Sequence, residues 1–110
     1  MTSQGSSHSC RAAPIEASHF LQGLGFDTLR VSNSNLIDLV AWKEGRVVFL
    51  AVKRSRSDGI AKYSSQVFQM VDAVRERFYP GELHFWLCRS RVWYRYQILE
   101  GGAAPVEWLA

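Results

Sequence analysis

The stretch LIDLVAWKEGRVVFLAVKRS, residues 36–55, constrains the fold more than any other part of the chain. Two apolar runs flank KEGR, and a two-residue loop at Glu44-Gly45 predicts a β-hairpin. Lys43 then pairs with Arg46 and paired positions sum to 89. Trp42 falls opposite Val47, Val40 opposite Phe49, and Asp38 opposite Ala51. Period-two alternation puts Lys53 on the face of position 51, so Asp38, Ala51 and Lys53 are expected to point the same way at one end of the hairpin. A strand face that ends in Asp and Lys is costly unless the charges are solvated, paired or bound to a ligand.

Helical patterns stand on either side of this hairpin. Pro14 suits a first helical turn, and Ala17, Phe20, Leu21 and Leu24 make an apolar stripe that ends at the Gly23/Gly25 pair. Glu16 falls at the edge of that stripe, beside Phe20. DTLRVS reads as a short strand and NSN as a break. Beyond the SRSDG loop, residues 60–79 predict a second helix with Val67, Met70, Val71, Val74 and Phe78 on its buried face, stopped by Pro80-Gly81. Lys62, Gln66 and Gln69 fall on one polar flank of it. ELHFWLC and RVWYRYQIL form a closing hairpin through Arg89-Ser90, which sets Trp86 against Trp93 and His84 against Arg95. The closing segment EGGAAPVEWLA has no clear assignment. The order α-β-β-β-α-β-β implies an α/β fold, a mixed sheet of four to five strands flanked by helices.

Length and composition set the outer bounds. A chain of 110 residues, 47% of them apolar, makes one domain with a real core. Thirteen Lys/Arg against ten Asp/Glu give a net charge of +3 and a pI near 9.1, compatible with a nucleic-acid partner without requiring one. No apolar run is long enough to span a membrane, so no membrane partner is expected. Cys10 and Cys88 match no zinc spacing. Cys10 lies in an N-terminal segment, residues 1–13, read as a disordered tail or expression remnant ahead of a single domain at 14–110. A disulfide is therefore not expected, and a cytoplasmic location is the default. His19 lacks a nitrogen or sulfur partner for a metal role.

The residues so placed resemble the PD-(D/E)XK nucleases, and within them the archaeal Holliday-junction resolvases. A helix glutamate (Glu16), Asp-x12-(Glu/Asp)-x-Lys across a hairpin (Asp38, position 51, Lys53) and a following helix with Gln66 carry the resemblance, which spans about residues 14–99. It implies a restriction-endonuclease-like three-layer fold and an endonuclease that cleaves duplex or branched DNA with Mg²⁺ or Mn²⁺. Asp38, Glu16 and the Val52 carbonyl would hold the metal, Lys53 would be the catalytic cation and Gln66 a positioning group. Arg54, Arg56, Lys62 and Gln69 would follow the DNA backbone. A homodimer is also implied, and Trp86, Trp93 and Arg95 are expected to be buried or to form an interface, with base stacking the less favoured alternative.

One departure is decisive: position 51, which should be acidic, is Ala51, and Ile37 replaces the proline of the motif. Loss of a ligand carboxylate costs at least the roughly 10–100-fold that changes around metal ligands cost. Three readings remain open. Cleavage has degenerated while DNA binding persists; or another carboxylate, Glu16 before the more remote Asp72, has taken over; or Ala51 is an engineered replacement of glutamate. A non-catalytic protein-interaction subunit built on the Trp/Tyr hairpin stands as a further alternative.

Overall fold

The computed structural model describes residue 10 and residues 12–32 and 36–108. Helix α1 (Ala13–Gly23) carries Pro14 in its first turn, where the missing N–H costs nothing. It ends in a Schellman motif: Gly25 takes a φ of +94°, and the N–H groups of Phe26 and Gly25 donate to the carbonyls of Leu21 and Gln22. Phe26 and Leu21 join the same buried cluster.

Strands β1 (Asp27–Arg30), β2 (Leu39–Lys43) and β3 (Arg46–Ser55) form an antiparallel meander. The β2–β3 register is the one the loop demands, from Lys43↔Arg46 to Leu39↔Leu50. Glu44 and Gly45 both have positive φ, the mirror-image turn that matches strand twist. A single 3₁₀ turn (Ile60–Tyr63) leads into helix α2 (Ser64–Arg75) and then to β4 (Glu82–Arg89), which runs parallel to β3. Strands β5 (Val92–Leu99) and β6 (Gly102–Pro105) complete a six-stranded sheet in sequential order.

Alternation along β3 divides the core into two layers. Val48, Leu50 and Val52 pack with Ala13, Ala17 and Leu21 of α1. Ala51 packs on the other face with Met70, Val71 and Ala73 of α2. Helices on both faces of a mixed sheet make the expected three layers.

Several sequence expectations need correction. The second helix does not run to residue 79. Arg77 adopts a left-handed φ of 55°, and the N–H groups of Phe78 and Arg77 cap the carbonyls of Ala73 and Val74. Phe78 is thereby turned off the buried stripe and is 69% exposed. The final hairpin turns through Ser90-Arg91 rather than Arg89-Ser90, so Trp86 faces Arg95, Cys88 faces Trp93 and His84 faces Gln97. A shift of two positions keeps every side chain on its expected face. The sheet has one strand more than expected, because residues 102–105 pair with β5. Cys10 is not outside the fold: it is buried and forms a disulfide with Cys88, with Cα atoms 5.7 Å apart. Ala13, also expected in the tail, opens α1 and is buried, while residues 1–9 and Arg11 lie outside the described residues.

Candidate functional site

Asp38 sits immediately before β2, where the meander loosens. Its carbonyl accepts the Val31 N–H at 3.0 Å, and its own N–H donates to the Leu50 carbonyl at 2.8 Å. That last bond is one residue out of step with Leu39↔Leu50, so Asp38 does not lie directly opposite Ala51 as the extrapolated register required. Its side chain instead reaches β3: Oδ2 accepts the Val52 N–H at 2.8 Å and lies 3.5 Å from Lys53 Nζ. Both side chains are about 30% exposed, so the ion pair contributes on the order of 1 kcal/mol or less. The bond to Val52 matters more, because it satisfies a strand N–H beyond the last β2 pair.

The other expected site residues are placed as follows. Gln66 Nε2 donates to the Leu36 carbonyl at 3.0 Å, tying α2 to the segment that leads into Asp38. Glu16 lies half-buried in the first turn of α1, on the layer opposite Ala51. Gln69 and Asp72 are exposed on α2. Ala51 is fully buried, in register with Phe85 and clustered with Ile37, Met70 and Leu87.

A basic cleft of about 610 Å³ lies at the carboxyl end of β3, lined by Arg54, Ser55, Arg56, Lys62, Ser90, Arg91 and Cys10. Hydrogen bonds shape it. The Tyr63 hydroxyl donates to the Arg54 carbonyl at 3.0 Å, Ser90 N–H to the Ser55 carbonyl at 3.2 Å, and Asp58 N–H to Ser55 Oγ at 2.8 Å. Lys62 pairs with Asp58 at 3.3 Å. Three expected backbone-contacting residues, Arg54, Arg56 and Lys62, therefore converge, while Gln69 does not line this cleft. Arg91 was missed by sequence reasoning. The available signal was a repeated triplet, Arg-Ser-Arg, at 54–56 and again at 89–91.

Among solved structures, this chain is similar to Hjc, a Holliday junction resolvase from Archaeoglobus fulgidus. The TM-score is 0.58 over 76% of this chain and 68% of that one, at 19% sequence identity. The fold is restriction-endonuclease-like. No protein-family model and no curated protein sequence matches the chain.

The restriction-endonuclease-like fold raises the question of a divalent metal, and the donor set answers it. Mg²⁺ demands near-octahedral oxygen coordination, usually anchored by carboxylates. Position 51 supplies no side-chain oxygen, and its surroundings are apolar. Among the described residues, no group of three or more His, Cys, Asp or Glu side chains could hold a metal ion. Asp38 already accepts a backbone N–H and faces Lys53. The residues present do not fit the two-carboxylate metal site of the motif.

Of the expected aromatic-basic group, Trp86 is buried whereas Trp93 and Arg95 are only partly so. Trp86 is fully buried beneath α1, so it is not available to a partner chain. The Arg95 guanidinium lies 4.4 Å from the Phe20 ring centroid and 4.6 Å from that of Trp86, and burial lowers its pKa. Nearby, Arg46 holds Glu82 through two hydrogen bonds of 2.7 and 2.9 Å. Glu82 Oε1 in turn lies 3.0 Å from His84 Nε2. Trp86 Nε1–H donates to His84 Nδ1 at 3.4 Å, so the Nε2–H of the neutral ring donates to Glu82.

Proposed function

We propose that this chain binds DNA, duplex or branched, through its phosphate backbone at the basic cleft, with metal-dependent hydrolysis lost or strongly weakened. The observation that carries the reading is the convergence of Arg54, Arg56 and Lys62 in one cleft at the strand end that follows Lys53. They stand at the carboxyl end of the parallel β3–β4 pair, where open α/β sheets bind their ligands. The fold is shared with a protein that is itself a Holliday junction resolvase, which favours DNA as the partner. The second half of the reading rests on the donor set: one strand-held carboxylate and a buried alanine do not assemble a Mg²⁺ or Mn²⁺ site.

The test is binding and cleavage of labelled four-way junctions and plain duplex at low salt, with and without Mn²⁺. Wild type, Asp38→Ala and Ala51→Glu are compared. The expected result is salt-dependent binding by wild type without cleavage. Cleavage by wild type that disappears in Asp38→Ala would instead establish an active endonuclease with another carboxylate, Glu16 first, in place of position 51. Cleavage confined to Ala51→Glu would establish a degenerate site that a single carboxylate restores. Absence of DNA binding at low salt refutes the nucleic-acid reading and leaves a protein-interaction subunit.

A further inference from the structure

The two Arg-Ser-Arg triplets are 35 positions apart in the sequence and adjacent in the fold. The parallel register pairs Arg54 with Cys88 and Ser55 with Arg89, so both triplets run off the same end of neighbouring strands. Adjacent strands lie about 4.8 Å apart. The triplets are also bonded to each other: Ser90 N–H donates to the Ser55 carbonyl at 3.2 Å and the Ser90 hydroxyl to the Arg56 carbonyl at 2.5 Å. Alternation places Arg89 on the sheet face of Lys53, with its guanidinium beside Gly59, and Arg54 on the face of Cys88. The cationic end therefore covers both faces.

Two features set this turn apart from an ordinary solvated loop. Among the described residues, Arg54, Arg56, Arg89 and Arg91 have no carboxylate within ion-pair distance, and the nearby Asp58 is taken by Lys62. Arg46, at the other end of the sheet, has its Glu82. Four uncompensated arginines at one strand end create a positive potential that favours a polyanion. The turn itself holds Ser90 and Arg91 at φ of 51° and 69°, a conformation for which Asn-Gly is the favoured pair. An arginine here lines the cleft at a conformational cost that glycine would avoid.

We infer that the β4–β5 turn is a second phosphate-contacting element, with Arg89 and Arg91 gripping the nucleic-acid backbone alongside Arg54 and Arg56. The inference rests on the nucleic-acid reading above and extends it to a segment outside the nuclease-like motif. Ser55 and Ser90 hold the two triplets in register, so the backbone lies across the end of the β3–β4 pair rather than along the β3 loop alone.

The experiment is the salt dependence of binding to a short fluorescein-labelled duplex between about 50 and 200 mM salt. Wild type is compared with the doubles Arg54→Ala/Arg56→Ala, Arg89→Ala/Arg91→Ala and Arg89→Lys/Arg91→Lys, each checked for folding by circular dichroism. Loss of two phosphate contacts lowers the log–log slope by about 1.8, and each alanine double is expected to show that drop while the lysine double keeps the wild-type slope. A drop in the Arg54→Ala/Arg56→Ala slope with no change in the Arg89→Ala/Arg91→Ala slope overturns this inference and leaves DNA binding intact. An Arg89→Lys/Arg91→Lys slope as low as that of the alanine double overturns the phosphate-charge mechanism. Absence of binding by wild type refutes both this inference and the reading it rests on.

Discussion

The carboxylate of Asp38 accepts the backbone N–H of Val52 at 2.8 Å, bracing β2 against β3 at the point where their ladder ends. Whatever else Asp38 does, it is a structural acceptor first. Asp38→Ala leaves a half-buried N–H without that partner and is expected to destabilise the domain by about 1–3 kcal/mol. Asp38→Asn keeps an acceptor oxygen and is expected to cost less than about 1 kcal/mol, although it abolishes the pair with Lys53. Urea unfolding of the two variants measures the difference; equal costs would refute the bracing role.

Ala51 is enclosed by Phe85, Met70 and their neighbours, so restoring an acid there is not a neutral repair. Ala51→Glu is expected to destabilise by roughly 2–4 kcal/mol at pH 8, because a carboxylate would be desolvated. Burial raises the folded-state pKa of such a group, so the neutral form is favoured in the fold. The penalty is therefore smallest below the unfolded pKa and grows as pH rises. Denaturant titrations at pH 5 and 8 test this, and a variant as stable as wild type at pH 8 would show a solvated position. Stabilisation of Ala51→Glu by Mn²⁺, absent in wild type, would show that the carboxylate completes a metal site.

The Arg46–Glu82–His84–Trp86 chain makes the fold acid-sensitive. Burial lowers the pKa of His84 from 6.5, against the opposing pull of Glu82. The hydrogen bonds from Arg46 lower that of Glu82 from 4.5. In both cases the unfolded chain takes up the proton first, so stability is present above the unfolded pKa and is lost on acidification. Loss begins below about pH 6.5 through His84 and steepens below about pH 4.5 through Glu82. Equilibrium unfolding from about pH 8 to 2 should show both phases, and His84→Gln should abolish the first.

The Cys10–Cys88 bond joins residues 78 positions apart, so it closes a loop containing α1 through most of β4. Breaking so long a loop is expected to cost about 2–4 kcal/mol. That lowers Tm by roughly 10 °C or more for a domain of this size. Thermal unfolding with and without a dithiol, and of Cys10→Ser, measures it. Equal Tm values in both states would mean that α1 is held by packing alone.

Local periodicity and turn chemistry were enough to determine much of this protein. Glu44-Gly45 set the β2–β3 register, since a two-residue turn permits one pairing. The stripes of Ala17–Leu21 and Met70–Val71 set which helix faces are buried. Asp38 and Lys53 were legible as neighbours at one end of the hairpin, although the slip at Asp38 replaced the register that suggested it.

The rest depended on contacts between segments far apart in the chain. The one-residue slip at Asp38 arises where β1, β2 and β3 meet, and no pattern within β2 records it. Arg77 and Arg91 occupy left-handed conformations that favour glycine, so the helix end at Arg75 and the turn at Ser90-Arg91 carry weak sequence signals. The disulfide requires Cys10 to meet β4, and the joining of the two Arg-Ser-Arg triplets requires the parallel pairing of β3 and β4. Short-range sterics and hydrophobic period write elements into a sequence. Parallel pairing and layer packing, which join residues dozens of positions apart, decided that Ala51 is buried core and that four arginines share one end of the sheet.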